Sequence, residues 1–505
     1  MKAEVFTEKG WVELKKHTDA FKYNDVLLEI KNNVVYISAE NTAIGYVRLT
    51  KENDLFTDAK VMGDCWERAY GDMEWKSLDY NRFLPWYFTA ANGEKIYCFG
   101  VKTQPNAFCG WKCDAEKITL VADIRNGSNL INLNGRCLEI CTVVEYKSTN
   151  KIYETQKKFC KLMCDAPKLT DKPVYGGNDW YCNYGENSFE KIIEHTKRIV
   201  ECSKNCKVKP YMVIDDGWQS CHCLDPLYNG GPWSSCNYKF NDMSVLAKKI
   251  KKLGAIPGIW FRPLLTFEDT PSDGVLKRNG FEVYLDPSSD DVLQKVSDDV
   301  KRLVKWGYKL IKHDFSTFDI FGKWGFEFED FPNGDNVVFK DKTKTTAEII
   351  KNLYKVIRKS AGKSAVIIGC NTISHLSAGL FEIQRTGDDT SGREWDRTKK
   401  YGINTLAYRM AQHNTFYCAD ADCVGITNDI DFEKNKMWMD VVAKSGTALF
   451  VSIAHNAYTE EVKTAVTKAF EMVCAVKSDS YPLDWMETKT PQKWQSVFGE
   501  DTYLW

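Results

Sequence analysis

The first third of the chain alternates apolar and polar positions with the period of two that is typical of half-buried β-strands. Residues 33–38 and 118–122 show this alternation, and turn-forming sequences such as Ala91-Asn92-Gly93 separate the runs at short intervals. Between residues 1 and 166 no helical pattern continues for more than two turns. Because short strands must cover one face with a second sheet, we predict an N-terminal antiparallel β-sandwich over residues 1–166.

From about residue 167 the pattern changes to short apolar runs that alternate with amphipathic helical segments. Eight runs are candidate buried strands: residues 174–180, 211–214, 256–261, 309–311, 365–369, 380–383, 415–419 and 447–453. Eight strands with interleaved helices fit a closed (β/α)8 barrel better than an open sheet. We therefore predict an α/β fold with a TIM-type (β/α)8 barrel over residues 167–456.

Apolar residues recurring every 3.6 positions predict the helices between these strands. The clearest helical segments are residues 189–206, 289–307 and 345–360. Ser288 with Asp291, and Thr345 with Glu348, have the spacing of N-terminal capping boxes or near variants of them. Residues 457–505 contain one more helical pattern and are too few for a substantial third domain, so we predict a short C-terminal helix and tail there.

The charge balance and the hydropathy pattern exclude several classes of partner. The chain has 68 Lys and Arg against 69 Asp and Glu, and it lacks the basic block that a nucleic-acid-binding protein would need. The longest apolar stretch near the C-terminus, residues 446–454, is far shorter than the roughly 20 residues of a membrane span. Residues 1–10 have no apolar signal-peptide core. We expect a cytoplasmic protein that binds neither nucleic acid nor membrane; a homo-oligomer stays open.

The 18 cysteines are interpreted as reduced thiols. Their frequency is well below the roughly 8–10% of a disulfide scaffold, and no C-x2-C pair is present to begin a zinc site. Cys221-His222-Cys223 is the only local metal candidate, and thiols in a loop are the simpler interpretation. Asp420 and Asp422 could bind a cation but have no third oxygen ligand nearby. We expect no metal and no cofactor.

Charged, polar and indole side chains directly follow the predicted strands. In a (β/α)8 barrel the chemistry lies on the loops that leave the carboxyl ends of the strands. These exits are Trp180, Asp215-Asp216-Gly217-Trp218, Arg262, Lys312-His313-Asp314, Cys370-Asn371, Arg385 with Asp388-Asp389, Asp420 with Asp422, and His455. A single Asp after a strand often caps a helix, but paired carboxylates beside Lys and Arg favour a catalytic rim.

Two of these exits have the composition of a carboxylate pair for glycoside hydrolysis. Lys312 and Asp314 are two residues apart on a strand, so both face one side, where the cation favours an ionised nucleophile or a plain ion pair. Asp388 and Asp389 are neighbours, so in an extended segment only one faces a pocket. A proton-donating carboxyl needs a raised pKa. One ionised and one protonated carboxyl flanking a bond is the arrangement that glycoside hydrolysis requires.

The tryptophans fit the same chemistry. The indole rings of Trp180, Trp218 and Trp260 offer flat apolar faces for a pyranose, although ordinary core packing gives the same pattern. Other chemistries lack their motifs: the sequence contains no G-x-S-x-G, H-E-x-x-H, Walker or G-x-G-x-x-G motif.

An ordered set of motifs resembles the melibiase-type α-galactosidase family, a group of retaining glycoside hydrolases. The resemblance runs from about residue 177 to residue 485. It rests on Asn178-Asp179-Trp180, Ile214-Asp215-Asp216-Gly217-Trp218, Gly258-Ile259-Trp260, Leu285-Asp286-Pro287, Lys312-His313-Asp314, Arg385-Thr386-Gly387-Asp388-Asp389 and Asp420-Ala421-Asp422. It implies an N-terminal β-sandwich followed by a (β/α)8 catalytic barrel.

The resemblance also implies roles for individual residues. Asp314 would be the nucleophile, and Asp389 would be the acid that protonates the leaving oxygen and then the base that activates water. The predicted substrate-binding residues are Asp215, Asp216, Trp180, Trp218, Trp260, Lys312, Arg385 and Cys370. The pair Asp420 and Asp422 looks like a structural motif that braces the rim. The family carries an aromatic residue where this chain has Gly177, which predicts a wider sugar pocket, and the family's C-terminal β-domain is nearly absent here.

The function implied is cleavage of terminal α-galactosyl or closely related residues from small oligosaccharides. Alternatives remain: a transglycosidase, or an α-glycosidase of another specificity such as α-N-acetylgalactosaminide or β-L-arabinopyranoside. A third is a non-catalytic carbohydrate-binding protein, against which both carboxylates argue.

Overall fold

The computed structural model describes residues 1–223, 225, 228–278, 284–334 and 336–505. Within them the chain forms an antiparallel N-terminal sheet, a curled parallel sheet surrounded by helices, and a small C-terminal sheet. The strands of the N-terminal sheet are β1 (Lys2–Thr7), β2 (Gly10–His17), β3 (Ala20–Tyr23), β4 (Val26–Lys31), β5 (Val34–Ser38), β6 (Ile44–Glu52), β7 (Lys60–Gly63), β8 (Lys76–Ser77), β9 (Leu84–Pro85), β10 (Tyr87–Asn92), β11 (Lys95–Val101), β12 (Phe108–Cys113), β13 (Lys117–Asp123) and β14 (Leu138–Ser148).

The N-terminal sheet folds over on itself like a sandwich. Its strand order is β8-β7-β10-β11-β14-β5-β4-β3-β2-β1-β6-β13-β12-β9, with antiparallel neighbours throughout. Strands distant in that order meet in the core, where the Phe88 and Trp111 ring centroids lie 5.9 Å apart. The predicted antiparallel β-rich region is confirmed.

One expectation for this region is wrong, because residues 1–166 do contain a helix of three turns, α1 (Ile152–Met163). Its buried face includes the polar residues Thr155 and Gln156 between apolar ones. These polar positions interrupt the apolar stripe that marks an amphipathic helix in sequence.

The second sheet is parallel and curled. Its strands are β15 (Tyr175–Asn178), β16 (Tyr211–Ile214), β17 (Ile256–Phe261), β18 (Leu310–His313), β19 (Val366–Gly369), β20 (Ile383–Arg385), β21 (Cys418–Asp420), β22 (Val424–Ile426) and β23 (Leu449–Ile453). The order is β21-β20-β19-β18-β17-β16-β15-β23-β22. The eight predicted runs overlap eight of these strands, and β22 is additional.

The two ends of the parallel sheet approach each other. Asp420 at the end of β21 forms a parallel bridge with Ala448, the residue before β23, and the Ala448 N–H donates to the Ala419 carbonyl at 2.9 Å. Side chains from successive strands, among them Val213, Leu310 and Ile383, form an apolar cluster of their own. The carboxyl ends of the strands therefore share one edge.

Helices connect most of the parallel strands. In the described residues they are α2 (Trp180–Asn183), α3 (Phe189–Cys202), α4 (Met243–Leu253), α5 (Asp290–Trp306), α6 (Ser316–Phe321), α7 (Thr346–Ala361), α8 (Ser374–Ser377), α9 (Trp395–Arg397), α10 (Thr405–Arg409), α11 (Phe432–Ser445) and α12 (Glu460–Ala475), with 3-10 turns at Ser272–Gly274, Gly325–Glu327, Met410–Gln412 and His455–Ala457 and a π-helical turn at Thr398–Asn404. The predicted helices correspond to α3, α5, α7 and α12. After α12 a small sheet follows, β24 (Tyr481–Pro482), β25 (Lys493–Ser496) and β26 (Gly499–Thr502).

The predicted capping boxes have different outcomes. The Thr345 hydroxyl accepts the Glu348 N–H at 3.1 Å, and the Glu348 carboxylate accepts the Thr345 N–H at 2.9 Å, which confirms the box at the start of α7. The box at Ser288 is wrong. Ser289 is the residue before α5, and the Ser288 hydroxyl instead accepts the Asp341 N–H at 3.0 Å.

Removing the cap of α7 is expected to destabilise the protein. Thr345→Ala leaves the Glu348 N–H without its acceptor and also removes the hydroxyl that donates to the Asn106 carbonyl at 2.6 Å. We expect the free energy of unfolding to fall by about 1–2 kcal/mol in urea titrations. Thr343→Ala, at an exposed position two residues earlier, is the matched control and should change stability by less than about 0.5 kcal/mol. Equal effects would contradict the capping assignment.

No helix in the described part of the chain is long and apolar enough to cross a membrane. All 18 cysteines are free thiols. Among the described residues no group of three or more His, Cys, Asp and Glu side chains is placed to hold a metal ion.

Candidate active site

A cavity of about 240 Å³ opens at the carboxyl ends of the parallel strands. Its wall is formed by Arg68, Trp180, Asp215, Asp216, Trp260, Lys312, Asp314, Phe315, Trp324, Phe326, Asp388 and Asp389. Most of the site residues predicted from sequence are in this set, including both predicted catalytic carboxyls and the indoles of Trp180 and Trp260.

Asp314 follows β18 and is held as a carboxylate by donors on both oxygens. The Trp260 indole N–H donates to its Oδ2 at 3.0 Å, and the Phe315 and Asn371 backbone N–H groups donate to its Oδ1 at 2.8 and 3.2 Å. Burial would raise the pKa of Asp314, but the charges of Lys312 and Arg68 and these hydrogen bonds outweigh it and lower the pKa to about 2. Asp314 is therefore ionised at neutral pH.

Asp215 and Asp216 end β16 and are anchored by different partners. The Lys312 ammonium lies 2.7 Å from Asp215 Oδ2, which also accepts from the Asn178 amide at 2.6 Å. Asp216 accepts from the amides of Gln219 and Asn229 at 2.6 and 2.5 Å. The closest ion pair of Lys312 is thus with Asp215 rather than with Asp314. These fixed carboxylates are hydrogen-bond acceptors that face the cavity.

The turn after Asp216 requires glycine. Gly217 has φ +118°, and a Cβ there would lie 2.5 Å from the Asn187 side-chain oxygen. Asn187 in turn donates to the Asp216 carbonyl at 3.0 Å. The Asp-Asp-Gly-Trp motif therefore encodes this backbone geometry as well as two carboxylates.

Asp389 has a contrasting electrostatic environment. Its Oδ1 lies 3.2 Å from the Arg385 guanidinium and 3.7 Å from that of Arg68, and its side chain is 37% exposed. Partial burial raises the pKa of Asp389; Arg385 opposes this, while the charges of Asp422 and Asp388 raise the pKa further. A carboxyl so placed holds a proton more readily than Asp314 does.

Asp388 also lines the cavity, at 2.8 Å from Arg68. The expectation that only one of the two neighbouring carboxyls faces the pocket is therefore wrong. The physical reason is local backbone shape, because the chain bends at Asp388 after leaving β20 instead of staying extended.

Three predicted site residues lie behind the cavity wall. Arg385 is buried and contacts Asp422 at 3.0 Å and the Cys370 sulfur at 3.4 Å. Cys370 is buried, and burial raises the pKa of its thiol. Trp218 is buried, and its indole N–H donates to the Trp260 carbonyl at 3.0 Å.

The pair Asp420 and Asp422 has structural contacts of the kind expected for a brace. Asp422 accepts from the Tyr181 hydroxyl and from the Thr390 N–H, the latter at 2.8 Å. The Asp422 N–H in turn donates to Asp420 at 3.0 Å. Through Arg385, these contacts tie β21 to the segment that carries Asp389.

Sequence reasoning missed Arg68, Phe315, Trp324 and Phe326. Arg68 belongs to the N-terminal region, in the loop between β7 and β8, where its guanidinium lies over the Trp324 ring at 5.2 Å. Residues 64–72 combine aromatic and charged side chains without a period of two, which marks a loop. Nothing in that local pattern indicates where the loop docks.

The predicted widening of the pocket at Gly177 is wrong. A Cβ at this position would meet Ile199 of α3 at 2.8 Å and Met212 of β16 at 3.0 Å. A side chain at position 177 would point toward the surrounding helix and away from the cavity.

No protein-family model matches the sequence. Three solved structures with the same architecture are an α-galactosidase from Thermus thermophilus, TtGalA, in complex with p-nitrophenyl α-D-galactopyranoside, and two GH36 α-galactosidases from Geobacillus stearothermophilus: an AgaA variant in complex with stachyose, and AgaB. TtGalA is 16% identical over 100% of this chain and 99% of its own, with a TM-score of 0.64. AgaA and AgaB are each 13% identical with TM-scores of 0.64, over 97% and 96% of this chain and 78% and 77% of theirs. The protein therefore has the fold of these α-galactosidases.

Proposed function

We propose that the protein is a retaining glycoside hydrolase that removes terminal α-galactosyl or closely related residues from small oligosaccharides. One observation carries this proposal: an ionised carboxylate, Asp314, and a carboxyl with a raised pKa, Asp389, line the same cavity. This is the division of roles that double displacement at a glycosidic carbon requires.

In the proposed first step the Asp314 carboxylate attacks the anomeric carbon and the glycosidic C–O bond breaks. The proton of Asp389 goes to the leaving oxygen, and a covalent glycosyl-enzyme remains. In the second step Asp389, now a carboxylate, takes a proton from water, whose oxygen attacks the same carbon and expels Asp314. The anomeric configuration is inverted twice and so retained.

The sugar assignment is supported by the polar cavity wall and by the shared fold. Asp215, Asp216 and Lys312 present fixed hydrogen-bonding groups to the cavity, and Trp180 and Trp260 supply indole surface. Structures of the same fold contain a galactoside or stachyose. Arg385, Cys370 and Trp218 support the wall from behind. No residue of the proposed mechanism requires a metal or cofactor.

The proposal includes the domain organisation and the location of the protein. The bridge between Asp420 and Ala448 supports closure of the parallel sheet into a (β/α)8 barrel over residues 167–456. The antiparallel sheet supports a sandwich domain over residues 1–166, and residues 457–505 form a helix and tail. The unpaired thiols support a cytoplasmic location.

The test is hydrolysis of a panel of aryl α- and β-glycosides, with the first-formed anomer assigned by NMR. We expect turnover of the α-galactoside with α-galactose appearing first. A β-first product would contradict retention. Turnover of an α-N-acetylgalactosaminide or β-L-arabinopyranoside alone would replace the sugar assignment, and binding without turnover would identify a carbohydrate-binding protein. Galactosyl transfer to an added sugar in preference to water would identify a transglycosidase.

A further inference from the structure

The loop of residues 64–72 joins the N-terminal sheet to the segment that carries the proposed acid. The Ala69 N–H donates to the Thr386 carbonyl at 2.9 Å, and the Asp388 N–H donates to the Ala69 carbonyl at 3.0 Å, which makes a parallel bridge between Ala69 and Gly387. Backbone pairing therefore fixes the residue after Arg68 against the residues before Asp389.

Side chains hold the same loop from two further sides. Arg409 donates to the carbonyls of Glu67 and Thr386 at 2.5 and 3.1 Å. The Glu67 carboxylate accepts from the Asn371 amide and from the Gly325 N–H, the latter at 2.8 Å. Arg68 thus enters the cavity from a backbone held by several elements, which is the condition for a precise side-chain position.

Within the cavity Arg68 contacts the two neighbouring carboxyls unequally. Its guanidinium lies 2.8 Å from Asp388 but 3.7 Å from Asp389, and its side chain is 6% exposed. Asp388 has a second cation, Arg397, at 3.9 Å. A close charged contact fixes Asp388 as a counter-ion, and the longer contact leaves Asp389 free to face a substrate.

We propose that Arg68 is a positioning residue that separates the roles of these neighbours: it pins Asp388 as its counter-ion and thereby orients Asp389 for proton transfer. This inference rests on the proposed function. The charged groups around Asp389 are Arg385 from β20, Asp422 after β21, Asp388 and Arg397 from its own segment, and Arg68 from the N-terminal region.

The inference predicts opposite pH effects for the two members of the ion pair. The alkaline limb of kcat/KM reports deprotonation of the acid in the free enzyme. Arg68→Met removes a positive charge, so the pKa of Asp389 should rise and this limb should move to higher pH. Asp388→Asn removes a negative charge, so the limb should move to lower pH. A purely structural role for the ion pair would not produce shifts of opposite sign.

A leaving-group comparison tests the positioning itself. Arg68→Met is expected to lower kcat on the order of 10²-fold for an alkyl α-galactoside and less than about tenfold for a dinitrophenyl one, which leaves without protonation. Arg68→Lys, which keeps the charge, should restore the alkaline limb but not the full kcat. Equal losses on both substrates, or unshifted limbs in both Arg68→Met and Asp388→Asn, would overturn the inference.

Two controls separate other causes. Arg136→Met breaks the ion pair with Glu348, at 2.7 Å, between the N-terminal region and α7, and should leave the pH profile unchanged. Burial raises the pKa of Glu67 to about 7, so Glu67→Gln is included. Loss of the alkaline limb in that variant would assign the limb to Glu67 and overturn the inference. A wild-type protein that hydrolyses no glycoside would instead refute the proposed function.

Discussion

Replacing Asp314 by Asn is expected to lower kcat on the order of 10⁴–10⁶-fold, because the variant lacks the oxygen nucleophile that forms the glycosyl-enzyme. Asn has nearly the same shape, so substrate binding should persist. Since the charge of Asp314 is stabilised in the folded protein, the free energy of unfolding should fall by about 2 kcal/mol at neutral pH. Steady-state kinetics, ligand titration and urea unfolding measure the three quantities. Near-normal turnover would contradict the nucleophile assignment.

The pH dependence of that stability loss is a further check on Asp314. Its pKa is lowered on folding, so its contribution is present above the unfolded-state pKa and disappears as the pH falls toward about 2. The stability difference between wild type and Asp314→Asn should therefore shrink on acidification. A constant difference would mean that the loss arises from packing rather than from charge.

Much of the fold could be predicted because its signals are local. The strands β16 and β17 begin and end at the predicted residues, and α7 has its predicted cap, since apolar period and capping spacing act within a few residues. The helix α1 was missed because its buried face includes Thr155 and Gln156. The three-residue strand β22 was missed because so short a run has no period to recognise.

The site divides in the same way. Asp215, Asp314 and Asp389 directly follow strands, so the convergence of parallel strands at one edge was enough to group them. Arg68 lies far away in the sequence and reaches the cavity only because its loop docks on Gly387. Trp218 and Cys370 also follow strands, yet they lie behind the wall. Sequence order identifies the edge of the sheet on which a residue lies but not the depth of its side chain.

Replacing Asp389 by Ala is expected to have the second-largest effect, and one that depends on the leaving group. Loss of the general acid should lower kcat/KM by about 10²–10⁴-fold for an alkyl α-galactoside, whose oxygen must be protonated as it leaves. For a dinitrophenyl α-galactoside kcat/KM should change by less than about tenfold, since that phenolate leaves unaided. A series of aryl galactosides gives the slope of log(kcat/KM) against leaving-group pKa, which should steepen.

Asp388→Asn is the matched control for that slope, because it changes the neighbouring carboxyl and keeps the proposed acid. Its slope should stay close to that of the wild type. If the steep slope followed Asp388→Asn instead, the proton donor would be Asp388.

Azide provides the strictest separation of the two proposed roles, because the configuration of the product depends on which carboxyl is missing. In Asp389→Ala, azide attacks the glycosyl-enzyme formed on Asp314, so two inversions give the α-galactosyl azide. In Asp314→Ala, azide takes the place of the nucleophile in a single inversion and gives the β-galactosyl azide. NMR of the two products assigns the roles independently of rates. The same anomer from both variants would contradict the assignment of one nucleophile and one acid to these two positions.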